Sequence, residues 1–302
     1  MVAGLNHPVP HFYIAGAPKC GTTALYAYLS AHPRLFLPHD PKDATAHSGL
    51  NYKEPHFFAP DLLWRDYTQD PAVYASLYAA APLEALLGDA SVFYLYSQRA
   101  LPRIRELRPE AKIIVMLRHP VDLLYSLHGH YRYSLAEPEP DFARALELDR
   151  PFPLVYRPVA RLGAQLQRVY RLFPRDQVHV IWHEDFAADT AACVAETCRF
   201  LGVEPPARGD FARHNAQKQL RSPTLQRLLL WRPRAAQRLA RQLLPARLRH
   251  RAATALLDLN RREQARPPLD PQVRATLTRD FADDIALLAE LTGRSLDHWM
   301  KP

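Results

Sequence analysis

Apolar runs and helical spacing alternate along most of this chain. Phe12-Tyr13-Ile14-Ala15 is a continuous apolar run that ends at Gly16, the pattern of a buried strand. Residues 22–31 place Leu25, Tyr28 and Leu29 on one helical face, and Pro33 follows. Residues 38–51 are polar and contain proline, which predicts a loop. Residues 61–81 read as helix interrupted at Pro71, 85–90 as a short strand and 97–107 as a helix. Lys112 to Leu117 is the clearest strand, apolar without alternation, as a parallel strand covered on both faces must be. A helix over 121–134, an amphipathic helix over 159–173, a strand over 178–182 and a helix over 187–201 follow. Val273, Leu277, Phe281, Ile285 and Leu288 mark one C-terminal helix. Strands that alternate with helices predict an α/β fold, a doubly wound parallel sheet flanked by helices, with a mainly helical part from about 205 to 302. No repeat or low-complexity linker divides the 302 residues, so one domain is expected.

Charge sharpens this picture. The formal net charge is +8. Residues 213–251 hold eleven of the 39 Arg and Lys and no acidic residue, which leaves 28 basic against 31 acidic side chains elsewhere. The basicity therefore belongs to one segment. Apolar stripes through Leu225, Leu228 and Leu229 and through Leu239, Leu243 and Leu244 accompany it, with Trp231 between them. A solvated helix face, a lid over an anionic substrate and peripheral membrane contact through 223–251 all fit this pattern. A nucleic-acid arm is the weaker reading, because no recognised binding motif or interleaved aromatic ladder is present. No run approaches the roughly 20 apolar residues of a membrane span. Three cysteines, Cys20, Cys193 and Cys198, are too few for a disulfide framework. Cys193 and Cys198 fall about 140° apart around one helix. A cytoplasmic, reducing setting is the expectation.

Gly16-Ala17-Pro18-Lys19-Cys20-Gly21-Thr22-Thr23 carries the chemistry. It joins a predicted strand to a predicted helix, where backbone N–H groups and the helix N-terminus collect anions. Gly16, Gly21 and Thr23 match the spacing of the nucleotide-hydrolase loop GxxxxGK[ST], but Thr22 stands at its lysine position and Lys19 lies inside the loop. The strand at 113–117 ends in Arg118-His119-Pro120 rather than in an acidic Mg²⁺ ligand. Both departures count against a P-loop kinase, the competing enzyme reading. An arginine at a strand end suits a second phosphate, since its planar fork donates two hydrogen bonds.

These segments resemble the sulfotransferase superfamily. Gly16 to Pro33 is similar to its 5'-phosphosulfate loop, and Leu117-Arg118-His119-Pro120 with Ser126 to its 3'-phosphate motif. Lys53-Glu54-Pro55-His56-Phe57-Phe58 resembles the Lys-Glu-Pro-His segment of the branch that includes heparan sulfate N-sulfotransferase domains, and Gly88-Asp89-Ala90-Ser91 with Tyr94 the acidic, serine-containing strand between. The resemblance implies 3'-phosphoadenosine 5'-phosphosulfate as sulfuryl donor, an in-line displacement and no required metal. It implies that Lys19 stabilises the leaving phosphate, that Cys20, Gly21, Thr22 and Thr23 hold the 5'-phosphate, and that Arg118 and Ser126 hold the 3'-phosphate. Glu54 is the candidate base, with His56 its rival. Lys218 and Arg221 stand where relatives carry a basic loop over the nucleotide, without the Arg-Lys-Gly signature.

Bland readings stand beside these. For Glu54 the competing, weaker reading is an exposed loop carboxylate paired with Lys53. Cys20 reads as a packing residue. His128 and His130 read as part of a helix bordering the acceptor cleft rather than as metal ligands. The acceptor, a hydroxyl or amine of a carbohydrate, lipid or small molecule, and the oligomeric state are not written in the sequence.

Overall fold

The structure is a computed structural model that describes residues 8–39, 51–62, 67–206, 218–220, 261–263 and 267–301. Its centre is a parallel sheet of β1 (Phe12–Gly16), β2 (Leu35–Phe36), β3 (Leu86–Asp89), β4 (Lys112–Leu117) and β5 (Val178–Trp182). The order is β2-β3-β1-β4-β5, so β1 lies between β3 and β4, with Tyr13 opposite both Asp89 and Ile113. Every residue of β1 is buried, and Ile113 to Leu117 are inaccessible to solvent. Burial of each such side chain contributes roughly 1.5–3 kcal/mol, and helices must cover both faces to secure it. The chain turns from the β2–β3 side to the β4–β5 side at β1. Ligand crevices in open α/β sheets form at such a reversal, at the carboxyl ends of the strands.

The helices are α1 (Thr22–Ser30), α2 (Pro71–Ser76), α3 (Ala100–Leu107), α4 (Pro120–Tyr133), α5 (Phe142–Glu147), α6 (Leu162–Leu172), α7 (His183–Ala188), α8 (Thr190–Leu201), α9 (Pro271–Asp280) and α10 (Ala282–Thr292). Two short strands, β6 (Lys218–Leu220) and β7 (Arg261–Glu263), pair antiparallel. Arg221 and residues 223–251 lie outside the described residues, as does the side chain of Lys218.

Several expectations needed correction. Pro71 opens a helix instead of interrupting one: Asp70 caps it by accepting from the N–H groups of Ala72 (2.7 Å) and Val73 (3.4 Å), and a proline at the first position loses no hydrogen bond. The helix expected over 187–201 is two, because the Asp189 side chain accepts from Ala192 N (2.9 Å) and starts a new one. The C-terminal helix is also two, broken at Phe281, which keeps its ring in the core while its backbone leaves the helix. The strand β2 and the helix α5 were not anticipated.

The C-terminal helices are tied to the sheet layer. The Asp284 carboxylate accepts from Gly163 N (2.8 Å) and Ala164 N (2.9 Å) at the start of α6. A side chain at Gly163 would meet the Asp284 carbonyl at 2.3 Å, so only glycine allows this approach. Arg274 of α9 pairs with Asp122 of α4. His119 Nδ1 accepts from Val121 N (3.2 Å), so its Nε2–H donates to the Trp299 carbonyl at 3.0 Å. The chain end is thereby fastened beside the end of β4.

Candidate active site

The loop after β1 is shaped by close approach. A Cβ on Gly16 would lie 2.7 Å from Leu95 Cβ and 2.8 Å from the Val92 carbonyl. Ala17 N donates to Met116 O of β4 (2.8 Å), and Leu95 N to Ala15 O (2.8 Å), so the loop is sewn to strands on both sides. Lys19 has φ 64° and Gly21 φ 99°, left-handed conformations that turn the chain into α1. Gly21 caps α1 through its backbone alone, its carbonyl accepting from Ala24 N and Leu25 N. The first amides of a helix have no partner within it, so Gly21, Thr22 and Thr23 present N–H groups at the positive end of the helix dipole. Thr22 is buried and Thr23 exposed.

Arg118 leaves the end of β4 and donates from Nη1 to the Lys19 carbonyl at 3.1 Å. The two phosphate motifs, almost a hundred residues apart in sequence, therefore touch. Ser126 is half-buried two turns into α4. Cys20 is fully buried; burial pushes its thiol up to about 12 against the lowering charges of Arg118 and Lys19, so it packs rather than attacks. The functional atoms of this half are all donors, which fits a phosphate-bearing substrate. The nearest carboxylate on α4, Asp122, is taken up by Arg274.

Glu54 stands on a separate loop. Its backbone N–H donates to Asn51 Oδ1 (3.0 Å), and its carboxylate pairs with Lys53, whose ammonium lies 5.9 Å from the ring centre of Tyr26 on α1. The Glu54 side chain is 23% exposed, so it is paired with Lys53 yet largely enclosed. Burial alone would raise its pKa. The Lys53 ammonium, through its charge and its hydrogen bond, and the imidazoles of His56 and His130 outweigh burial and hold the carboxyl below its usual range, ionised and ready to accept a proton.

His56 follows with φ 53° and is 1% exposed. Its Nδ1–H donates to the Glu54 carbonyl (2.8 Å), and its ring stacks on Tyr67 at 3.8 Å. Burial drives its pKa down to about 4, so the ring is neutral near pH 7 and leaves Nε2 as an acceptor without a partner. Between the two candidate bases, Glu54 is the one with solvent access.

The end of β3 positions this loop. The buried Asp89 carboxylate accepts from Ser91 N (2.9 Å), Ser91 Oγ (2.6 Å), Tyr94 Oη (2.9 Å) and Tyr74 Oη (3.0 Å). With their protons committed, Ser91 Oγ accepts from His56 N (2.9 Å) and Tyr94 Oη from Phe58 N (3.3 Å). Desolvation pushes Asp89 up to about 6 despite these donors.

On α4, His128 is not at the cleft. It is 5% exposed, its Nε2 bonds the Glu139 carbonyl (3.0 Å), and Phe142 and Tyr156 pack on its ring. His130 is exposed, and its charge acts on Glu54. Sequence reasoning missed His183, which follows β5 as Arg118 follows β4. Burial and then the Arg118 charge hold it down at about 4, a neutral ring beside the arginine. Its place at a strand end was the available signal. Among the described residues no cluster of three or more His, Cys, Asp or Glu is arranged to hold a metal ion.

The profile described as "Sulfotransferase family" matches residues 10–207, and the chain belongs to that family. Its relatives include human bifunctional heparan sulfate N-deacetylase/N-sulfotransferase 3, 27% identical over 223 residues, covering 65% of this chain and 23% of that protein. Mouse carbohydrate sulfotransferase 15 is 28% identical over 262 residues, covering 65% of this chain and 44% of that protein. The chain thus spans less than half the length of either. A crystal structure of a sulfotransferase from Alicyclobacillus acidocaldarius superposes with a TM-score of 0.70 at 29% identity, covering 97% of this chain and 99% of that one.

Proposed function

We propose that the protein moves a sulfuryl group from 3'-phosphoadenosine 5'-phosphosulfate to a hydroxyl or amine of a carbohydrate acceptor. One observation carries this reading: an ionised, partly exposed Glu54 is held by Lys53 against α1, the helix that opens from the phosphate loop. The acceptor oxygen or nitrogen attacks sulfur and forms the new bond. The bond from sulfur to the 5'-phosphate oxygen breaks, and Glu54 takes the acceptor's proton. Lys19 and the amides of Gly21, Thr22 and Thr23 receive the charge that grows on the leaving phosphate, a placement worth orders of magnitude in rate when preorganised. Arg118, with His183 beside it and Ser126 of the same motif, binds the 3'-phosphate. The carbohydrate class follows from what the relatives' names say they act on.

The test is calorimetric titration with 3'-phosphoadenosine 5'-phosphate without metal, beside adenosine 5'-phosphate and Mg²⁺-ATP. Tight binding of the bisphosphate is expected, weakened about tenfold to a hundredfold by Arg118→Ala or by loss of the 3'-phosphate, the range for a charge-assisted pair. Binding of Mg²⁺-ATP in preference to the bisphosphate would overturn the reading.

A further inference from the structure

Buried polar atoms in native proteins are mostly paired, and an orphan calls for an explanation, of which a partner arriving from outside is one. Two such orphans among the described residues, Tyr131 Oη and His56 Nε2, belong to residues that interact electrostatically with Glu54. Tyr131 is 6% exposed. Its neighbour Tyr156, at 6.0 Å between ring centres, is a control within the same fold: that phenol donates to Glu137 Oε2 at 2.9 Å. Burial, and after it the negative charge of Glu54, hold the Tyr131 phenol well above its ordinary pKa. It keeps its proton and offers a donor. His56 Nε2 and the Glu54 carboxylate offer acceptors. One donor and two acceptors match a group that carries a hydrogen-bond acceptor beside the attacking O–H or N–H, as a vicinal diol or amino alcohol of a sugar ring does.

We propose that Tyr131 binds the acceptor, its phenol donating a hydrogen bond to an oxygen adjacent to the hydroxyl or amine that Glu54 deprotonates. The inference rests on the reading of Glu54 as base. It makes the enzyme selective for polyols and amino sugars over monohydric alcohols, because only the former complete the Tyr131 bond.

The experiment uses the full chain with Tyr131→Phe and Tyr156→Phe. An N-desulfated glucosamine–uronate polymer and a monohydric alcohol serve as acceptor probes with labelled donor. An unpaired hydroxyl gives the fold nothing, so Tyr131→Phe should keep its melting temperature while Tyr156→Phe loses several degrees. For Tyr131→Phe the kcat/KM for the polymer should fall about tenfold to a hundredfold, mainly through KM, which is the effect of removing one hydrogen bond to bound substrate. Transfer to the alcohol and affinity for the bisphosphate should not change. A melting temperature that falls with Tyr131→Phe, or a polymer KM that stays put, overturns the proposal and leaves the proposed activity intact. A wild-type protein that binds the bisphosphate but transfers to neither probe sinks the acceptor reading, and this inference with it.

Discussion

The two halves of the proposed site, one for the donor and one for the acceptor, are built on different principles. The donor half is backbone and strand ends: the Gly16–Thr23 loop, the first amides of α1, and Arg118 bonded to the Lys19 carbonyl. The acceptor half is side chains on a loop, Lys53, Glu54 and His56, held in place from β3 by Ser91 and Tyr94 and faced by α4. A phosphate demands the same donors in every member of a fold, and rigid backbone supplies them. An acceptor differs from protein to protein, and a loop set by a few hydrogen bonds can be re-aimed without disturbing the sheet.

The strongest test of that division compares Lys19→Ala with Glu54→Gln. Both should lower kcat by about a hundredfold to ten-thousandfold, the range for lost charge stabilisation and lost general-base catalysis. They should part in binding. Lys19→Ala should weaken affinity for 3'-phosphoadenosine 5'-phosphate in calorimetry, whereas Glu54→Gln should leave it as in the wild type. If both variants weaken nucleotide binding alike, the two halves are one site and the comparison breaks.

A smaller effect sharpens how the acceptor half is positioned. Ser91 is inaccessible to solvent, donates to Asp89 and accepts from His56 N. Ser91→Ala leaves that N–H and one Asp89 lone pair unsatisfied, which costs about 1–3 kcal/mol of stability in urea unfolding. Because the loop carrying Glu54 shifts, kcat should fall about tenfold, the size of a sub-ångström misplacement of a reacting group, with the donor KM unchanged. Ser91→Thr restores the hydroxyl and should recover part of the rate. Equal loss in both variants would assign Ser91 to packing alone.

The same division explains what the sequence revealed. Apolar runs at 12–15 and 113–117 are buried strands because a strand covered on both faces has no room for polar residues, and that pattern needs no partner to be read. The turn after β1 was legible for a related reason: its glycine spacing is a local requirement of the backbone there. The breaks at Asp189 and Phe281 were hidden because apolar periodicity continues across both, and only the cap geometry separates the helices. The two-residue strand β2 is too short to carry a pattern. The Ser91–His56 bond spans 35 residues and leaves no periodic trace. Tyr131 falls on the same apolar face of α4 as Leu124 and Leu127, so sequence makes it a core residue, and only the fold exposes its unpaired hydroxyl.

The smallest effect concerns pH and the neutral ring of His56. An imidazole whose folded pKa is about 4 against an ordinary 6.5 binds its proton more readily in the unfolded chain. Its contribution to stability is therefore whole above pH 6.5 and is lost as pH falls toward 4. Over that window the loss amounts to at most about 3 kcal/mol by linkage. Asp89 works the other way: raised to about 6, it stabilises the fold in acid and loses that contribution as pH rises from about 4 to 6. In the wild type the two oppose, and a simple pH titration of stability would show little of either. The difference between wild type and His56→Asn separates them. Asparagine tolerates the left-handed backbone at this position and keeps an amide donor near the Glu54 carbonyl, but it does not titrate. Urea unfolding of both proteins from pH 7 to 4 should show the variant holding its stability in acid better than the wild type, the gap widening as pH falls. A gap that stays constant would mean that His56 is protonated in the folded protein as readily as in the unfolded chain. Its Nε2 would then still accept at pH 7 but become a donor near pH 6.5 rather than near 4, and the polarity assigned to the acceptor half would hold only above that pH.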